Sequence, residues 1–133
     1  MKTSIEFEGK TITISSRHIG IDTPEWSKGY AKHHYKVTVS VPYSTGKREY
    51  TTDYWCNSAE LKKRDLYEVL ETLCSDATYG DMSIDDFNSE LCYEKVSECI
   101  RAYNGCKETF EAFKNMFLNP YSLGDYLREK YDI

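Results

Sequence analysis

The sequence predicts an α+β domain, with an antiparallel sheet of three to four strands in the N-terminal half. That sheet packs against a C-terminal set of helices that includes one long helix. Three observations carry this reading. Tyr35, Val37, Val39 and Val41 alternate with polar residues, the two-residue period of a strand with one buried face. Val96, Cys99, Ile100, Tyr103, Cys106, Phe110, Phe113 and Phe117 recur at steps of three or four, the stripe of an amphipathic helix. No linker, repeat or low-complexity tract divides the 133 residues, a length that suits one domain with a real core. Residues 1–58 are then mainly β and 59–133 mainly α within a single domain, 1–133.

Taken in order, Ile5 and Phe7 alternate, Gly9-Lys10 marks a turn, and Ile12 and Ile14 alternate again, so 3–16 reads as two short strands. Residues 17–34, RHIGIDTPEWSKGYAKHH, read as a long irregular segment with Trp26 tucked into the core. Tyr35–Val41 is the clearest strand. Pro42 to Gly46 turns the chain, and Lys47–Trp55 returns to complete a hairpin. Leu61, Leu66, Val69, Leu70 and Leu73 predict a first helix over about 60–75, followed by a Gly-containing loop from Asp76 to Asp81. Ser83 suits an N-cap, and Asp85 and Asp86 complement the dipole of a short helix behind it. The long helix spans roughly 25 residues. It either runs through Asn104-Gly105, where Gly costs ~1 kcal/mol relative to Ala, or hinges there. Asn119-Pro120 ends it. A terminal helix over 121–133 places Leu123, Tyr126, Leu127 and Tyr131 on one side.

The net charge of −5 is unevenly spread. Residues 1–58 hold eight Lys/Arg against six Asp/Glu, and 59–133 hold nine against sixteen, giving +2 and −7. Nucleic-acid binding needs cations to neutralise phosphates, so the acidic half is unsuited to it and better matched to a basic protein partner. Twelve tyrosines suit half-buried surfaces and interfaces, which leaves monomer and homodimer equally open. The N-terminal residues lack a secretory h-region, and no run reaches the length of a membrane span. Five cysteines without CxxC then point to reduced thiols in the cytoplasm.

No catalytic residue emerges from these motifs. Cys92, Cys99 and Cys106 are spaced by seven, about 10.5 Å apart along a helix, too far for a shared metal or a disulfide. His18, His33 and His34 lack a ligand spacing, and there is no nucleophile elbow or phosphate-binding glycine loop. No metal, cofactor or enzymatic activity is therefore expected, unless tertiary proximity builds a site that the sequence hides.

Two stretches could bind a partner. Asp76, Asp81, Asp85, Asp86 and Glu90 fall within fifteen residues free of Lys and Arg, and Glu94 extends the series. This run is either a solvated face or a surface that imitates the phosphates of DNA in a basic groove. The alternative is the aromatic and basic segment 17–34, where Arg17, Trp26, Lys28, Tyr30 and Lys32 could contact a protein or touch nucleic acid.

The order YKVTVSV, VLETLCSDA and DDFNSELCYEKVSECIRAYNGC resembles a group of small proteins carried by bacteriophages and integrated elements. Val69-Leu70, Leu73, Asp76-Ala77, Phe87, Glu90-Leu91, Tyr93, Tyr103 and Cys106 match that group's pattern. Cys92 stands where the group has Gly, and 94–97 follow it loosely. The resemblance covers 35–106, and its motifs are structural. It implies a phage-encoded inhibitor of bacterial defence, of the anti-CRISPR class. Such a protein would bind a CRISPR effector nuclease, or its guide RNA complex, in the host cytoplasm. A type II effector is the first expectation, blocked through the acidic surface without direct nucleic-acid contact. The runner-up is another phage accessory or anti-restriction protein that uses 17–34.

Overall fold

Four strands pair in the order in which the chain makes them. β1 (Lys2–Phe7), β2 (Lys10–Asp22), β3 (Lys32–Tyr43) and β4 (Gly46–Cys56) form an antiparallel meander, β1-β2-β3-β4. Among the described residues two helices follow, α1 (Lys63–Tyr79) and α2 (Pro120–Tyr131). The computed structural model describes residues 1–43, 46–79 and 120–133. The expected long helix, the short helix behind Ser83, and Cys92, Cys99 and Cys106 lie outside those residues. The fold is α+β, with the sheet N-terminal and the helices C-terminal.

Alternation decides which face is buried. Ile5, Phe7, Ile12, Ile14, Tyr35, Val37, Val39 and Val41 point to one side and are buried. Leu61 leads into α1, whose Leu66, Val69, Leu70, Leu73, Cys74 and Ala77 keep a stripe at helical spacing against that side. From α2, Leu123 and Leu127 complete the core. Gly124 faces α1 at close range: a Cβ there would stand 3.4 Å from Cys74 Cβ and 3.2 Å from Arg128 Nη1. Arg128 fastens the two helices by donating to Glu71 Oε1 at 2.7 Å and to Asp125. Tyr67 joins three elements. It stacks on Tyr131 at 3.9 Å, and its hydroxyl lies 2.9 Å from that of Thr3 on β1.

The turn between β1 and β2 sits one residue earlier than expected. Phe7 pairs with Lys10, leaving Glu8 and Gly9 at φ 49° and 78°. Two positive φ values are what a type I′ turn needs to match the twist of its strands. The larger correction concerns 17–34, which is not an irregular segment. Arg17 to Asp22 extend β2, Lys32 to His34 open β3, and the register runs from Thr13↔Ser40 to Asp22↔Lys32. A register shift between His18 and Gly20 breaks the alternation, which is why the strand is hard to see in RHIGID. The connection is only 23–31, with one 3-10 turn at Glu25–Ser27.

Trp26 is not tucked into the core but 61 % exposed. Ser27 is buried in its place. Its hydroxyl lies 2.8 Å from Pro24 O and 2.6 Å from Tyr30 O, so the connection closes on itself. α1 also runs further than expected, to Tyr79, which puts Asp76 on a helix rather than in a loop. Burial of Cys74 and Ala77 continues the apolar stripe, and Gly80 is the first helix-weakening residue after it. Among the described residues, no helix is long and apolar enough to cross a membrane.

Leu70 is fully buried at the centre of the helix–sheet contact. Leu70→Ala should cost about 2–5 kcal/mol, read as a lower urea midpoint at unchanged m-value. Gly9→Val should destabilise by roughly 1 kcal/mol or more, because a β-branched residue resists positive φ.

Candidate functional site: the open face of the sheet

The side of the sheet away from the helices carries the other half of each alternating pattern. Ser15, Arg17 and Asp22 from β2, Lys32, His34, Lys36 and Thr38 from β3, and Thr51, Asp53 and Trp55 from β4 share it. The register sets Arg17 opposite Lys36, Lys36 opposite Asp53, and His34 opposite Trp55. Among the described residues, no helix or strand covers this face.

At one end lies a polar and aromatic network around His34. Asp22 Oδ2 is 2.8 Å from its Nδ1, and Asp53 Oδ1 is 2.8 Å from its Nε2. An ionised carboxylate can only accept, so both contacts are hydrogen bonds when both ring nitrogens carry protons. Trp55 stacks on the imidazole, with centroids 4.5 Å apart and planes at 18°, and donates Nε1–H to Asp22 Oδ1 at 2.6 Å. Lys36 Nζ reaches Asp53 Oδ1 at 2.6 Å. The Lys36 hydrogen bond, then that of His34, hold the Asp53 carboxyl below the usual carboxylate range. Trp26 packs edge-on against Trp55, with centroids 6.4 Å apart, and presents its ring to solvent. Tyr30, in the same connection, is 72 % exposed.

Beside the network is a shallow hollow of about 450 Å³, lined by Ser15, Ser16, Arg17, Lys36, Thr38 and Thr51. Thr38 and Thr51 face each other with hydroxyls 3.0 Å apart. Two cations and several hydroxyl donors around one hollow make a site for an anion. Both nitrogens of His34 are engaged by carboxylates, which hold the ring in place.

On the covered side, beyond Tyr35, His18 Nε2 and His33 Nδ1 lie 3.0 Å apart. Among the described residues, no group of three or more His, Cys, Asp and Glu is arranged to hold a metal ion.

The two sequence-predicted surfaces fare differently. Asp81, Asp85, Asp86, Glu90 and Glu94 lie outside the described residues. Asp76 is half-buried on α1, where it lines a groove of about 220 Å³ with Tyr50, Tyr54, Val69 and Leu73. Burial in that region, with the charge of Asp65 adding to it, pushes the Tyr54 phenol up to about 12. Of the alternative set, Arg17 stands on the open face. Trp26 joins it through Trp55, and Lys32 donates to Asn57 Oδ1 at 2.6 Å at the end of that face. Lys28, at φ 54°, and Tyr30 belong to the connection between β2 and β3. Sequence reasoning missed Asp22, His34, Lys36, Asp53 and Trp55. The alternation that buries Tyr35 and Val37 already sends His34 and Lys36 to the opposite side. Their partners follow only from the register.

Comparison with family models, with curated proteins and with solved structures finds no match to this chain.

The folded pKa of Asp53 lies below its unfolded value, so the network stabilises the fold above the ordinary carboxylate pKa. That contribution is lost as acidification protonates Asp53. Asp53→Asn should therefore be less stable than the parent at neutral pH and lose that deficit as the pH falls below the carboxylate range, measured by urea titrations across pH.

Proposed function

We propose that this chain is a non-enzymatic binding protein whose contact surface is the open sheet face around Trp26, Trp55, Arg17 and Lys36. The supporting observation is exposed Trp26, which reaches this face through Trp55, together with the cation- and hydroxyl-lined hollow on the same face. Monomeric proteins bury large aromatic rings where they can, and exposed ones with polar rims mark contact sites. The partner class comes from the phage-protein resemblance: a bacterial defence nuclease, with a CRISPR effector bound to its guide RNA as the first choice. The protein would act there as a stoichiometric inhibitor in the host cytoplasm.

A second surface is supported by charge. Residues 59–133 carry sixteen Asp/Glu against nine Lys/Arg, with Asp76 to Glu90 free of cations. In this version the acidic stretch lies in the effector's DNA groove and the sheet face plays no part.

A pull-down of the tagged protein against guide-loaded effectors tests the partner class; failure to retain any of them would sink it. Two variants then separate the surfaces. If the sheet face docks, Trp26→Ala combined with Arg17→Glu should weaken capture about tenfold or more, an effect of 1.4 kcal/mol. The triple change of Asp81, Asp85 and Asp86 to Lys should leave capture intact. The acidic-surface version predicts the reverse.

A further inference from the structure

We infer that the open sheet face takes single-stranded nucleic acid, with a phosphate in the Arg17–Lys36 hollow and a base against Trp26. The inference rests on the reading above only in taking this face as the contact surface. It departs from the first sequence-based expectation, of no direct nucleic-acid contact, and gives a site to the alternative in which Arg17 and its neighbours touch nucleic acid.

The charges on the face favour an anion, although it holds carboxylates of its own. Asp53 is engaged by Lys36 and His34, and Asp22 by His34 and by the indole N–H of Trp55. Glu49, further along β4, pairs with Lys47 at 2.9 Å. These carboxylates are committed to neighbours within the sheet. Arg17 is exposed and stands across from Lys36, whose ammonium has three donors and gives one to Asp53. A phosphate in the hollow would meet the Arg17 guanidinium, the remaining Lys36 donors, and the hydroxyls of Ser15, Thr38 and Thr51. Lys32 and Lys28 extend the positive side towards the connection.

The aromatic part sits next to the cationic part. His34 and Lys36 are two residues apart on one strand, so Trp55 and the hollow are neighbours at roughly 7 Å, the same-face spacing of a strand. Trp55 is fixed by its stack on His34 and its bond to Asp22. Trp26 leans edge-on against it, leaving most of its own ring free to stack. Sheets that bind single strands use this pairing of an open face, aromatic platforms and nearby cations, because unpaired bases expose their rings. A duplex hides its base faces and offers phosphates alone. The face has few cations for a duplex, and the chain as a whole is acidic.

The test uses the full chain and short fluorescein-labelled oligo(dT) and oligo(U), with a mixed-sequence duplex as comparison, followed by anisotropy at low salt. Binding of the single strands in preference to the duplex is expected, with quenching of tryptophan emission. Trp26→Ala and Arg17→Glu should each raise Kd about tenfold, in line with loss of one stacked base or one phosphate contact. Lys63→Glu makes the same charge change on the helix layer and should leave Kd unaltered. Circular dichroism of the variants checks that the fold is retained; both substituted side chains are exposed. Absence of oligonucleotide binding, preference for the duplex, or equal weakening by Lys63→Glu would each overturn the inference. If effectors are captured while oligonucleotides are not bound, the face serves a protein and this inference alone falls. If oligonucleotides bind and no effector is captured, the inhibitor reading alone falls.

Discussion

Pairing of β2 with β3 is the constraint on which the rest of this structure depends. These are the two central strands, and their register decides the orientation of every residue on both. Since side chains alternate, a slip of one residue between them would turn the apolar set of one strand out to solvent, Ile12 and Ile14 or Val37 and Val39. The same slip would carry the polar set of that strand, Arg17 or His34 and Lys36, into the core. Burial under α1 and α2 therefore holds the register, and the register in turn builds the open face. Stability and the candidate site share one cause.

The helix layer makes that burial specific. α1 lays a continuous stripe from Leu66 to Ala77 over the sheet, and α2 adds Leu123 and Leu127 at the side where Gly124 permits close approach. Polar contacts then fix the orientation of these elements: Arg128 to Glu71 between the helices, and Tyr67 to Thr3 between helix and β1. Each polar bond contributes little alone beside the apolar burial. Their geometry excludes alternative packings that the apolar contacts would tolerate. The open face uses polar contacts differently. There Asp22, His34, Asp53, Lys36 and Trp55 hold one another, so that a flat polar surface presents fixed rather than freely rotating groups.

Local reasoning recovered elements wherever period and burial agreed. Tyr35–Val41 alternates without interruption because its inward side chains are buried along its whole length, and Leu66 to Leu73 keep helical spacing for the same reason. Segment 17–34 failed because the register shift after His18 breaks the two-residue period where the core ends. There the strand persists through its ladder of backbone hydrogen bonds, which carry no side-chain signature. Trp26 misled for a related reason: a large ring suggests burial, yet the connection is closed by the small hydroxyl of Ser27.

By itself the sequence determined the class of fold, the buried half of each strand, the inward stripe of α1 and the terminal helix, because periodicity and burial are local properties. It also determined that the charge is split between a slightly basic β half and an acidic α half. Only the tertiary structure decided which outward residues meet. Arg17 lies near Lys36, and Asp22 and Asp53 enclose His34, because three successive strands align at one register. Site chemistry depends on distances across strands, and those are set when the whole sheet docks on its helices.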